Sequence, residues 1–232
     1  MSRVKKAAEA ESISIGPFKW SLDNLDTTRT LRLPEELWKD DKRQFQSALH
    51  ERQRRRIMTN QQIVIIGFMG TGKTTVAFEL ARKLNCCAID LDELITQREK
   101  RSPQEIILQD GEDAFRPIET KTLRTVLREG SARVVAVGGG AWTIRENREL
   151  IAKHRAFTVW LDAPFELCWK RIDAGREGRP LARSRAMTQK LYAERRPIYE
   201  AADARVTVNE NESVQKIATK VARAVLQQNA NS

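Results

Sequence analysis

The apolar run Ile63-Val64-Ile65-Ile66 leads straight into Gly67-Phe68-Met69-Gly70-Thr71-Gly72-Lys73-Thr74, and a helix-like stretch follows from Val76 to Leu84. Strand, glycine-rich loop and helix in that order form a phosphate-binding loop of the type G-x-x-x-x-G-K-[ST]. Its glycines let successive backbone N–H groups turn inward around a phosphate, and the helix N-terminus adds a partial positive charge. Lys73 can then reach the β- and γ-phosphates, while the Thr74 hydroxyl can ligate Mg²⁺. A merely structural glycine-rich turn would not need that placement. The motif constrains the fold to α/β and points to a nucleotide triphosphate.

The strand–helix alternation continues beyond this point. Strand candidates are Gln62–Ile66, Cys87–Ile89, Arg133–Val137, Phe157–Leu161 and Arg205–Val208. They are short, apolar and β-branched, as strands buried on both faces should be. Helical stretches lie between them at Thr74–Leu84, Asp92–Glu99, Pro103–Arg128, Ile144–His154, Pro164–Asp173, Met187–Ala201 and Ser213–Gln227. This spacing predicts an α/β domain over residues 61–232, a five-stranded parallel sheet with helices on both faces.

Residues 1–60 read differently and are expected to form an N-terminal extension, partly helical or a flexible arm. Their aromatics (Phe18, Trp20, Trp38, Phe45) show no sustained periodicity. Thr27–Leu33 alternates like a short strand, and Pro34-Glu35-Glu36-Leu37 resembles the start of a helix running to Arg56. Met58, just before the first strand, is a candidate natural start. The extension holds 13 Lys/Arg against 9 Asp/Glu, so it carries +4 of the net charge of +10. The remaining +6 suits a cleft that steers anions, and a nucleic-acid partner is not expected. No apolar run approaches the roughly 18 residues of a membrane span, and the N-terminus lacks the apolar core of a secretory signal. Cys86, Cys87 and Cys168 form an odd set without C-x-x-C spacing, which reads as free thiols in a reducing cytosol. The expectation is a cytoplasmic monomer without a membrane partner.

Asp90-Leu91-Asp92 closes the second strand, at the end where ligands gather in open α/β sheets. Alternate residues of an extended segment point the same way, so both carboxylates are expected to face the cleft and serve Mg²⁺ or a substrate hydroxyl. An acidic N-cap for a helix starting at Glu93 is the plainer alternative. Gly138-Gly139-Gly140 follows the third strand, either as backbone that a ligand approaches closely or as a flexible turn. Arg116 beside Phe115, and Arg195-Arg196 ahead of Pro197, are singly ordinary. Gly175-Arg176-Glu177-Gly178-Arg179-Pro180-Leu181 suits a mobile lid, at about 174–186, whose arginine can neutralise charge on a transferring phosphoryl group.

In order and spacing, several motifs together resemble the shikimate kinases, in the nucleoside-monophosphate-kinase-like group of P-loop enzymes. They are Gly67–Thr75, Asp90-x-Asp92, Gly111-Glu112 with Phe115-Arg116 and Glu119, Gly138–Gly140, Leu161-Asp162-Ala163-Pro164, Arg179-Pro180-Leu181 and Arg195-x-Pro197-x-Tyr199. The resemblance covers about three-quarters of the chain. It implies transfer of the ATP γ-phosphate to the 3-hydroxyl of shikimate, a step of the chorismate route to the aromatic amino acids, with Mg²⁺ as cofactor. By position it implies that Gly70, Thr71, Gly72, Lys73, Thr74 and Thr75 hold ATP. Thr74 would bind Mg²⁺, which Asp90 would orient through water. Asp92 would bind the reacting hydroxyl and take its proton. Arg116 and Arg195 would clamp the substrate carboxylate, which a planar guanidinium matches bidentately. Gly140 would offer its N–H to the substrate, with Gly138 and Gly139 in the same wall. Arg179 would be the lid arginine, touching ATP and stabilising the transition state, so that Lys73, Asp92 and Arg179 are the catalytic set. Two points depart from the family. Ala182 stands where members often carry a second leucine, and the short lid leaves Arg171, Arg176 or the region of Asn209 as adenine-side candidates. Residues 1–60 match nothing in it.

Two other readings stand beside this one. A gluconate-type kinase would also use Arg116 and Arg195 on a polyhydroxy acid, although the glycine wall and Arg195-x-Pro197-x-Tyr199 favour shikimate. A kinase-like sensor acting through its N-terminal arm, with the basic run Arg52–Arg56, would have no need to keep Lys73, Thr74, Asp90, Asp92 and Arg179 together.

Overall fold

Ile63, Val64, Ile65 and Ile66 are all completely buried in the computed structural model of the chain. Successive residues of a strand point to opposite faces, so this burial requires cover on both sides of the sheet. The structure describes residues 12–15, 18–21, 61–174 and 184–231. The chain divides into two units, Met1–Thr59 and Asn60–Ser232. In the first, β1 (Ser12–Ile15) and β2 (Phe18–Ser21) pair antiparallel, with Ile13 opposite Trp20 and Ile15 opposite Phe18. Sequence reading passed over this hairpin because four-residue strands are too short for alternation to stand out, although Gly16-Pro17 is a turn signal. The expected strand at Thr27–Leu33, the helix at Pro34–Arg56 and Met58 lie outside the described residues.

The second unit holds β3 (Ile63–Ile66), β4 (Ala88–Asp90), β5 (Val134–Ala136), β6 (Phe157–Asp162) and β7 (Ala204–Thr207), in the order β4-β5-β3-β6-β7. All four pairings are parallel, as the strand spacing predicts. α1 (Lys73–Leu84) buries Val76, Ala77, Leu80 and Ala81, a single stripe at helical spacing. α2 (Leu91–Glu99) follows β4. α3 (Pro103–Asp110) begins with a capping box between Ser102 and Glu105. One helix was expected over Pro103–Arg128, but two form. Gly111, at φ 91°, ends α3 and starts α4 (Glu112–Glu129). Nothing lies within 4 Å of where its Cβ would stand, so the left-handed backbone rather than crowding calls for glycine there. α5 (Arg145–Lys153), α6 (Phe165–Ala174), α7 (Arg185–Tyr199) and α8 (Val214–Asn231) complete the unit.

Strand order positions the site. After β3 the chain crosses to one side, through α1, to reach β4; after β5 it crosses to the other side to reach β6. The loops leaving β3 and β5 therefore part, and a crevice opens between the C-terminal ends of these neighbouring strands. Gly67–Gly72 leave β3 at that point, and Gly138–Gly140 leave β5.

Candidate active site

The two loops wall a cleft of about 400 Å³. Gly72 caps α1 from a left-handed conformation, φ 91°, which brings the helix N-terminus against the loop. Lys73 opens α1, and its Nζ donates to Phe68 O at 3.0 Å. Thr74 Oγ1 donates to Asp90 Oδ2 at 2.5 Å, tying α1 to the end of β4. Asp90 Oδ1 accepts from the amides of Asp92 at 2.9 Å and Glu93 at 3.2 Å. Asp90 is thus both the N-cap of α2 and the partner of Thr74, and the two readings of this carboxylate are compatible. Strand alternation is not what places Asp92. β4 ends at Asp90, Leu91 is buried, and Asp92 occupies the first turn of α2, from which it still faces the cleft. Burial first, then the Asp90 charge, push its carboxyl up to about 6, against the pull of Lys73 and Arg116.

At the other end two arginines converge from separate helices. Arg116, on α4, donates through Nη1 to Glu119 Oε2 at 2.7 Å and through Nη2 to Glu112, with its guanidinium 5.4 Å from the Phe115 ring centroid. Burial works against its charge, but Glu119 and Glu112 outweigh that and hold the guanidinium above its ordinary range. Glu119 is fully buried, and its Oε1 has no hydrogen-bond partner. Burial pushes this carboxyl up to about 7, with Arg116 pulling the other way. Arg195, on α7, is 7% exposed, and its Nη1 is also without an acceptor. A buried guanidinium nitrogen of this kind is one that a ligand carboxylate can satisfy. The wall between is glycine for lack of room. A Cβ on Gly138 would stand 2.7 Å from Glu119 Oε1 and 3.0 Å from Asp92 Oδ1, and one on Gly140 would overlap the Arg116 guanidinium.

Gly70, Gly72, Lys73, Thr74 and Thr75 line the phosphate end of the cleft. Asp90, Asp92, Arg116, Gly138, Gly139, Gly140 and Arg195 line the remainder. The Thr71 side chain turns away: it is 1% exposed and its hydroxyl donates to Phe68 O at 2.9 Å. Arg171, an adenine-side candidate, lines the cleft and lies on the phosphate loop, with Nη1 3.1 Å from Gly70 O and 3.3 Å from Thr71 O. Asn209 begins a turn in which its amide donates to Glu212 Oε2 at 3.2 Å. Arg176, Arg179 and most of the expected lid lie outside the described residues. Sequence reading gave Glu119 no role of its own, although its i, i+3 spacing from Arg116 was a signal. It also passed over Pro103, Gln104 and Ile107, which line the cleft from α3. Reading α3 and α4 as one helix concealed them.

A phosphate loop facing a carboxylate and two arginines across a parallel-sheet crevice defines a small-molecule kinase of the P-loop class. The model of the shikimate kinase family matches residues 69–226. A shikimate kinase from a Nostoc species is 36% identical over 172 residues, spanning 73% of this chain and 93% of that protein. One from Cereibacter sphaeroides is 37% identical over 166 residues, spanning 70% of this chain and 81% of the relative. Among solved structures, the shikimate kinase of Acinetobacter baumannii in complex with shikimate superposes with a TM-score of 0.65 at 32% identity. That match covers 72% of this chain and 94% of the other. The chain belongs to the shikimate kinase family, as the order of its motifs implied.

Proposed function

We propose that this chain transfers the γ-phosphate of ATP to the 3-hydroxyl of shikimate, giving shikimate 3-phosphate and ADP. One observation carries the reading: the unpartnered Nη1 of Arg195 and the guanidinium of Arg116 share a single cleft with Asp92 and the phosphate loop. Two cations suit one carboxylate, a carboxylate suits a hydroxyl, and loop amides with Lys73 suit phosphates. The relatives named shikimate kinase, and the neighbour solved with shikimate, support the same acceptor.

In this reading the ATP phosphates lie on the amides of Gly70–Thr75 and on the Lys73 ammonium. Thr74 and Asp90 are the residues that would serve Mg²⁺, and their adjacent oxygens fit a hard cation that shares its shell with phosphates and water. When bound, Mg²⁺ neutralises charge on the β- and γ-phosphates. Arg116 and Arg195 clamp the shikimate carboxylate, and Gly140 N–H with Gly138 and Gly139 fixes the ring. Asp92 accepts the hydrogen bond of the 3-hydroxyl and takes its proton as the new O–P bond forms. Its raised pKa makes it a better match to that task than a solvated aspartate. Arg179 stabilises the transferring group from the lid. A cytoplasmic setting agrees with the free thiols Cys86, Cys87 and Cys168, and no helix among the described residues is long and apolar enough to cross a membrane.

The test is ADP release with Mg²⁺ and ATP over a panel of hydroxy acids that includes shikimate and gluconate. Turnover of shikimate is the expected result; turnover of gluconate but not shikimate overturns the reading.

A further inference from the structure

The glycine wall lies outside helix and strand, so its peptide orientations must be held by other bonds. Gly138 O accepts from Ala141 N at 3.1 Å. Gly140 O accepts from Thr143 N at 3.0 Å and from Thr143 Oγ1 at 2.7 Å. These are local bonds. The Gly139 carbonyl is held from far away in the chain, by the Tyr199 hydroxyl, which donates to it at 2.5 Å from the last residue of α7. In a trans peptide the C=O and N–H point in opposite directions, and there are no cis peptides among the described residues. Turning Gly139 O toward Tyr199 therefore aims Gly140 N–H the other way. Among the described residues that N–H donates to no protein acceptor.

Tyr199 can hold the peptide because it is itself held. It is 2% exposed and packs against Trp160, with ring centroids 6.1 Å apart. The preceding residue is tied to the wall segment as well, since Trp142 Nε1 donates to Ile198 O at 3.0 Å. Arg195 lies one helical turn earlier, so the residue that faces the substrate and the residue that holds the wall share one face of α7. Burial keeps the phenol protonated far above neutral pH, despite the nearby Arg195 charge, so its hydroxyl remains a donor.

We infer that Tyr199 is a positioning residue of the acceptor site, orienting the Gly139–Gly140 peptide so that Gly140 N–H faces the substrate. The inference rests on the shikimate reading above. Tyr199→Phe keeps the ring and removes the donor. The variant is expected to show a KM for shikimate about 10-fold higher, the scale of one lost hydrogen bond, with the KM for ATP unchanged. Its Gly140 amide is expected to shift in the ¹H–¹⁵N spectrum and to exchange with solvent faster. Val225→Ala, which trims the buried side of α8 outside the cleft, controls for stability alone and should lower the melting temperature without moving either KM. A Tyr199→Phe enzyme with wild-type KM for shikimate, or with an unmoved Gly140 amide, overturns the inference. Wild-type protein inactive on shikimate would instead sink the substrate reading, and the Gly140 amide would then decide the peptide inference alone. Should Tyr199→Phe not fold, the hydroxyl proton of Tyr199 in the wild-type NMR spectrum decides: slow exchange supports the bond to Gly139 O, and rapid exchange with solvent overturns it.

Discussion

Gly140→Ala should separate substrate binding from folding. Gly140 has φ −97° and ψ −16°, a right-handed conformation that alanine adopts freely, so the backbone carries no strain. The added Cβ would stand 2.8 Å from Arg116 Nη1 and 2.9 Å from its Cζ, too close for either to remain. The guanidinium ends a flexible side chain, so it moves before the backbone does. Moving it breaks the 2.7 Å bond to Glu119 Oε2, and a hydrogen bond to a charged group contributes about 1.5–3 kcal/mol. The substitution also narrows the unfolded ensemble, which returns about 0.4–1 kcal/mol. The net loss of stability is therefore about 0.5–2.5 kcal/mol. Binding suffers more. With Arg116 displaced, Arg195 meets the carboxylate alone, and losing one partner of a charge-assisted clamp costs about 2–5 kcal/mol. At 1.4 kcal/mol per decade, the lower figure already raises the shikimate Kd about 30-fold. Calorimetric titration with shikimate and with ATP, beside a thermal melt, measures all three quantities. A shikimate Kd equal to that of the wild type would refute both the close approach of Gly140 to Arg116 and the role of Arg116 in the clamp.

Asp92→Asn is expected to abolish nearly all turnover while leaving ATP binding intact by titration; normal activity removes Asp92 from the catalytic set. The same variant should melt higher at neutral pH. An aspartate raised to about 6 when folded, from near 3.9 when unfolded, holds its proton more tightly in the native state, so native stability falls as pH rises between about 4 and 6 and stays reduced above. A lower melting temperature for Asp92→Asn at pH 7 contradicts that sign. For the free wild-type enzyme, kcat/KM for shikimate should decline as pH falls through about 7 to 6, where Glu119 and then Asp92 take up protons; a flat profile there speaks against both. Arg195→Ala should weaken shikimate binding by about 2–5 kcal/mol without changing ATP affinity, and an unchanged shikimate Kd ends its assignment to the clamp. A fragment of residues 60–232 should keep the wild-type kcat, and complete inactivity would make residues 1–59 part of the catalytic unit.

The phosphate end was legible because it is local. A single run of residues makes the loop, and the helix that follows places Lys73 and Thr74 beside it. Locality also limits what could be read there. The consensus spacing gives Thr74 its place but does not show that Thr71 is buried, with its hydroxyl closing the loop on Phe68 O. Rules of local geometry failed where an element ended early. The pair Asp90 and Asp92 looked like alternate strand residues, but the strand stops at Asp90 and its own carboxylate starts the next helix. Likewise Gly111 divides a stretch whose side chains read as one helix, through a backbone angle that hydrophobic periodicity does not encode.

The acceptor end belongs to no single stretch of chain. Arg116, Gly140 and Arg195 come from α4, the loop after β5 and α7, and motif order could associate them without giving a distance. By itself, the sequence determined the class of fold, the triphosphate loop and the set of residues from which a carboxylate pocket could be made. Only the tertiary structure decided that Arg195 brings a buried, unpaired nitrogen to the cleft that Arg116 lines, and that Tyr199 turns the wall between them. The physical reason is that α4, the loop after β5 and α7 lie far apart in the chain and meet only where the crevice between β3 and β5 opens. That crevice exists only once the two strands lie side by side with their loops leaving in opposite directions.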